Sequence, residues 1–228
     1  MAIPAIHRND VTVTGGVNGG RGTAATGRVE AFSDGVLAVA ITLLVLDLHV
    51  DTGGKDSLAH QLWEKWPSFA AYVLSFFVVG VIWVNHHALF ALLGHVDRTL
   101  LFYNLLLLMF VTTIPFTTAT LAANLRADTV DVRTAVLLYG VSMEGMAISY
   151  RLIIHRMISK NLLVAPVDEE TGRRAIRRFG IGTLIYPLVV VVGLFSPAAM
   201  LALYAALTGF YIVEQTALLP SNPNPELD

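Results

Sequence analysis

Asp34, Glu144, His86 and His87 are ionisable side chains set inside or at the edge of long apolar runs. If those runs cross a bilayer, each of the four needs a partner, because an unpaired charge at the centre of a membrane helix costs about 2.5–3.5 kcal/mol on insertion scales. Groups of this kind can relay protons, hold a cation or anchor a hydrogen-bond network. Asp34 sits in RVEAFSDGVLAVAITLLVLDLHV, residues 28–50, directly after Ser33 and before Gly35. His86 and His87 close the run Trp83-Val84-Asn85-His86-His87. Neighbouring positions on a helix point about 100° apart, so the two imidazoles do not chelate one ion as an i, i+4 pair would, and no metal site is read from them. Glu144 reads as a second buried carboxylate satisfied by an adjacent helix. The motifs G-x-S-x-G, H-E-x-x-H, G-x-x-x-x-G-K-[ST] and G-x-G-x-x-G are absent, so no enzyme is read. A T-V-G-Y-G filter sequence is absent as well.

The elements that position these residues follow from composition. The chain has 228 residues, of which 55% are hydrophobic and 14% charged, against about 25% charged in soluble domains. A formal net charge of -2 with basic residues confined to a few loops leaves no footprint for nucleic acid. There is no cysteine, hence no disulfide and no thiolate chemistry. Residues 1–27 are rich in Gly, Thr, Val and Ala without periodicity, and are expected to be a disordered tail. Six apolar segments follow: about 31–50, Ser68 to Leu93, Thr99 to about Ala122, about Thr134 to Ile154, Phe179 to Phe195, and Ala198 to Leu219. The expected fold is all-α, a six-span transmembrane helical bundle over 28–219, with polar loops at 51–66, 126–133 and 156–178 and a flexible tail at 220–228. Six spans put both termini on one side. That side carries eleven of the fifteen Lys and Arg residues and the other four, which places both termini in the cytoplasm.

Depth along the spans gives Asp34 its expected partners. With span one centred near Ile41 and span two near Val79, Asp34 and His86 lie level in an antiparallel pair. Asn85, His86, His87 and the Trp83 indole are the expected donors to Asp34 and Ser33, with Arg28 closing the cluster from the cytoplasmic end. At about 100° per residue, Gly35, Val39, Thr42, Leu43 and Leu46 form a stripe on the side of the helix away from Asp34. By periodicity alone such a stripe fits a lipid-facing or packed surface, and the Asp/His cluster fits either a structural network or a proton-handling site.

Arg28-x-x-x-Phe32-Ser33-Asp34-Gly35, with Thr42 eight residues after the aspartate, resembles the signature of bacterial members of the transmembrane protein 175 family of endosomal and lysosomal potassium channels. Trp83-Val84-Asn85-His86-His87-x-Leu89-Phe90, Asn104 in its leucine run, Pro115-Phe116 and the basic entry to span five resemble the family too, and the likeness covers about residues 28–219. It implies a homotetramer in the plasma membrane whose first helices line a central pore without a re-entrant filter loop. It implies apolar constriction rings at Val39, Leu43 and Leu46, a selectivity layer of hydroxyls at Thr42, and a structural network behind the pore helix made by Arg28, Phe32, Ser33, Asp34, Trp83, Asn85, His86 and His87. Members commonly carry isoleucine or leucine where this chain has Val39. The implied partners are membrane lipids and further copies of the chain, with potassium as the permeant ion, near Thr42, and no cofactor. Asp47 and Asp51 are expected to concentrate cations at the outer mouth. Two other readings stay open: a proton-coupled transporter using Asp34, His86 and Glu144, and a non-conducting membrane scaffold.

Overall fold

A computed structural model describes residues 17–48, 57–125, 130–165 and 169–214. Among them the chain is all-helical. Helix α1 spans Val17–Leu43 and tightens into a 3-10 turn at Leu44–Asp47; α2 is Leu58–Glu64, α3 Trp66–Phe90, α4 Arg98–Asn124, α5 Val130–Ser159, α6 Glu169–Phe195 and α7 Pro197–Glu214. Four stretches are long and apolar enough to cross a membrane: Thr26–Leu46, Trp66–Phe90, Arg98–Asn124 and Val130–Ser159. Gly182–Phe195 and Pro197–Ile212, where the fifth and sixth spans were expected, are shorter apolar helices.

Helical structure extends further than the apolar runs alone predict. Residues 17–27, expected in the tail, belong to α1; once the apolar part of a helix has nucleated, each added residue costs little. Within the polar 51–66 segment, Ser57 caps α2 by accepting a hydrogen bond from the His60 amide at 3.3 Å. The basic run near Arg173 and Arg177, expected in a loop, lies on α6. The C-terminal tail at 220–228 and residues 1–16 lie outside the described residues, as does Asp51.

Helix α1 packs on α3 and α4, α4 on α5, α5 on α6, and α7 returns from α6 to α3. Lipid tails are as apolar as leucine, so helices in a membrane associate through close fit and polar contacts. Both are present. A Cβ added to Gly140 would come within 2.2 Å of Val190, and one added to Gly145 within 2.3 Å of Phe110, so these two glycines set the approach of α5 to α6 and to α4. Ser75 and Thr118 share a hydrogen bond of 2.7 Å between α3 and α4, Thr113 donates to Ser142 at 2.9 Å between α4 and α5, and the Tyr150 hydroxyl donates to the Ile82 carbonyl at 2.7 Å.

One end of the bundle is tied by loops. Asn161, at a φ of 51°, ends α5 in a left-handed turn in which the Leu162 amide bonds the Met157 carbonyl at 2.9 Å and the Asn161 amide bonds that of Ile158 at 3.2 Å. The strand-like segment beyond it meets the α3–α4 connection: Gly94 donates to the Leu162 carbonyl at 2.9 Å and Val164 to that of Leu92 at 3.0 Å. Arg156 grips Asp97 with two hydrogen bonds of 2.9 and 2.5 Å, while Asp97 caps α4 by accepting from the Leu100 amide at 2.8 Å. Those bonds from Arg156, foremost, hold the Asp97 carboxyl below the usual carboxylate range.

Candidate functional site

Helix α1 presents two unlike faces. The inner one carries Ser33, Leu37, Ala40 and Leu44, all buried against α3 and α4. Its polar anchor is a directed chain of hydrogen bonds. Ser33 donates to its own helix at the Val29 carbonyl, 2.9 Å away, and so presents its oxygen to the Asn104 amide, which donates to it at 2.9 Å. Asn104 thereby turns its carbonyl oxygen to His86, 2.9 Å from Nε2, and that oxygen requires the imidazole to carry its proton on Nε2. His86 is fully buried and stacks on Phe90 with ring centres 4.0 Å apart. The network ties α1, α3 and α4 at a single point.

Beside it, at the edge of the α1–α3 contact, the Trp83 indole donates to Asp34 at 3.0 Å and His87 Nδ1 lies 2.8 Å from the Glu30 carboxylate. Trp83 and His87 also stack on one another, 6.1 Å apart. Both contacts obey one antiparallel register, since four residues back along α1, from Asp34 to Glu30, match four residues forward along α3, from Trp83 to His87. A level pairing of Asp34 with His86 lies three residues from that register, about 4.5 Å at 1.5 Å per residue. Of the expected donors Trp83 therefore reaches Asp34, and His86 is left to Asn104.

Of the residues expected in the network, Ser33, Asp34, Trp83, His86 and His87 come together. Asn85 does not join them: it donates to the Val81 carbonyl of its own helix at 3.0 Å and lines a small cavity of about 60 Å³ with Tyr150, Tyr186 and Tyr204. Arg28 and Phe32 are exposed on the other face of α1, because positions 28 and 32 fall in line with Val39, roughly 120–160° from Asp34 at about 100° per residue. Glu144 stands apart, and the partner expected for it on an adjacent helix is not seen: its Oε2 is buried without a hydrogen bond among the described residues. Asn104 and Glu30 went unassigned as site residues. The signal for Asn104 was present, a lone amide in the run Leu105–Met109 and its flanks; Glu30 was hidden by its place beside the polar start of the span.

The outer face of α1 carries Val39, Thr42, Leu43 and Leu46, all exposed, with Leu46 at 67%. Gly35 completes the stripe, and a Cβ built on it meets nothing within 4 Å. Thr42 donates its hydroxyl proton to the Val39 carbonyl at 2.8 Å, which leaves its oxygen lone pairs directed off the helix. Chemically this surface offers apolar bulk and one layer of neutral oxygen acceptors.

Residues 28–115, which contain both faces and their anchors in α3 and α4, match the family described as Endosomal/lysosomal potassium channel TMEM175. A potassium channel of Streptomyces collinus is 44% identical over 188 residues, spanning 82% of this chain and 91% of that one. The chain belongs to the TMEM175 family. Among solved structures, the crystal structure of a lysosomal potassium-selective channel TMEM175 homolog from Chamaesiphon minutus matches with a TM-score of 0.75 at 30% identity, over 84% of this chain and 98% of that one. The endosomal/lysosomal proton channel TMEM175 of Rattus norvegicus is 35% identical over 142 residues, 57% of this chain but 28% of its own length. TMEM175 proteins are ion channels and not enzymes, and this member, with its apolar helices, is a multi-pass membrane protein.

Proposed function

We propose that the protein is a potassium-selective channel in which four copies of α1 surround a central pore. The observation that carries this reading is the outer face of α1: a stripe of Gly35, Val39, Thr42, Leu43 and Leu46 left uncovered by the protomer while the opposite side of the same helix is pinned to α3 and α4. A single helix cannot enclose a pathway, and repeating it around an axis does so with that stripe inward. Rings of Val39, Leu43 and Leu46 supply no ligand to replace an ion's water, so they gate by dewetting and by size. Thr42 is the exception. Its lone pairs, freed by donation to Val39, form the layer where a partly dehydrated potassium ion is distinguished from sodium. Ser33, Asp34, Trp83, His86 and His87 serve as the framework that fixes the pore helix in rotation and depth.

In this reading the domain spans 28–219, six helices cross the plasma membrane with both termini in the cytoplasm, no re-entrant loop enters the pore, and lipids surround the tetramer. The short apolar stretches Gly182–Phe195 and Pro197–Ile212 then cross as parts of the longer helices α6 and α7. The potassium channels among the relatives support conduction of that ion. The deciding experiment is flux from liposomes holding the purified protein, potassium against sodium under equal gradients, with Thr42→Ala alongside. Potassium-favouring flux that Thr42→Ala alters is expected; absence of flux from folded protein would remove the channel function.

A further inference from the structure

A second site lies at the polar end of α5 and α6, away from the pore helix. There a cavity of about 690 Å³ is lined by Arg151 of α5 and by Glu170, Arg173, Ile176, Arg177 and Leu184 of α6. Among the described residues three guanidinium groups and one carboxylate line it, a formal charge of +2. Arg151 is exposed near the C-terminal end of the apolar stretch Val130–Ser159, and where such a stretch crosses a bilayer a guanidinium on it needs an anion or water. Its Nη1 contacts the neutral Thr183 hydroxyl at 3.4 Å, at the long end of a hydrogen bond, and its chain crosses α6 at Gly180, where a Cβ would sit 3.7 Å from Nε.

The face of α6 that carries this cavity has a polarity gradient. Arg173, Arg177, Gly180, Leu184, Leu188, Val191 and Phe195 follow one another at spacings of four, three, four, four, three and four, and so share one face within roughly 80°. The first two are basic. The last four are apolar and widely exposed, Leu184 at 71% and Phe195 at 87%. A stripe that is cationic for its first turns and apolar for the rest matches a molecule with an anionic head and a long hydrocarbon tail. We propose that this face of α5 and α6 is a binding site for an anionic phospholipid, with the phosphate between Arg151, Arg173 and Arg177 and an acyl chain along Leu184, Leu188 and Val191. A soluble phosphate shares the head chemistry but leaves the apolar half of the stripe unused. Basic pockets between membrane helices hold phospholipid head groups on the same physical grounds.

The test uses the full chain purified in a neutral detergent, followed by its thermal midpoint as phosphatidylglycerol, phosphatidylcholine or inorganic phosphate is titrated. Phosphatidylglycerol is expected to raise the midpoint and phosphatidylcholine to leave it unchanged. Arg177→Gln and Arg173→Gln, at exposed positions, should each weaken the apparent affinity about fivefold, the worth of one basic residue near an anionic surface. Arg133→Gln, exposed at the opposite end of α5, should not. Arg151→Gln adds the contact from α5, and the Arg173 and Arg177 variants carry the test if it does not fold. An equal rise with inorganic phosphate would replace the lipid by a small anion, and an affinity unmoved in both exposed variants would overturn the site. Because the readout is binding, loss of the channel function leaves this site intact, and loss of this site leaves the channel.

Discussion

The inner and outer faces of α1 share one backbone yet obey opposite rules. On the inner face every polar atom of Ser33 is used, the apolar residues Leu37 and Ala40 are wholly buried, and partners on two other helices fix their positions. On the outer face Val39, Leu43 and Leu46 are widely exposed, and the one hydroxyl is satisfied by its own helix. The inner face therefore stores stability and register, while the outer face is free to change side chain without disturbing the fold. A helix that must present a fixed set of groups to an axis needs this division, since a rotation about its own axis by one residue, about 100°, would turn the outer stripe away from that axis.

Removing Asn104 should separate the faces most sharply. In Asn104→Ala, His86 loses the acceptor for Nε2–H, and its Nδ1 already lacks a partner among the described residues. The expected cost is about 1–3 kcal/mol, the penalty for a buried unpaired polar group, read as a lower thermal midpoint and loss of the assembled channel. Replacing both partners, Asn104→Leu with His86→Phe, should recover much of that loss, because the buried imidazole is gone and the Ser33 hydroxyl keeps its bond to the Val29 carbonyl. An unshifted midpoint in Asn104→Ala would mean that the inner network does not hold the helix.

The converse variant is Leu46→Ala. Stability should stay within about 0.5 kcal/mol of the parent, as for surface changes, while potassium flux rises severalfold as the apolar ring widens. Flux unchanged with stability lost would reverse the assignment of the two faces. Thr42→Ala removes one layer of acceptors, worth about 0.5–1.5 kcal/mol for a hydrogen-bond-like contact. The ratio of potassium to sodium flux should therefore fall by a factor of about 2–10, with the midpoint unchanged. A ratio that does not move would place discrimination at another layer.

How far the two faces were legible follows from what each depends on. The outer stripe is a matter of helical period within one segment, so Val39, Thr42, Leu43 and Leu46 were readable at once. Phe32 and Arg28 belong to that period as well; the family resemblance alone draws Phe32 inward, whereas Arg28 is drawn inward by depth along the span, which ignores the face it sits on. The inner network depends on the register between helices: of the four expected donors Trp83 reaches Asp34, and an offset of three residues is enough to take His86 away from it and give it to Asn104. Asn104 closes the network across 71 positions from Ser33, a separation that no local pattern carries. In the C-terminal half, the Arg173 to Arg177 run looked like a loop because charge was taken as a boundary, whereas α6 carries its charges on a face.

The weakest predicted effect checks that the contrast is confined to α1. Asp97 and Arg156 join the α3–α4 connection to α5, off both faces, and their side chains are 28% and 26% exposed. Asparagine caps a helix as well as aspartate, so Asp97→Asn keeps the bond to the Leu100 amide and removes only the charge. The loss should lie below about 1 kcal/mol, as for partly exposed ion pairs, with flux and selectivity unaltered. Its pH dependence has a definite sign. Arg156 depresses the folded-state pKa of Asp97 below the unfolded value of about 3.9, so the pair stabilises the fold fully above that value and ceases to do so as pH falls through the lower, folded one. Midpoints of parent and Asp97→Asn should thus differ at pH 7 and converge in acid below about pH 4. A deficit that stays constant with pH would assign the effect to the cap rather than the charge, and a change in selectivity would show that this tie reaches the outer face of α1 after all.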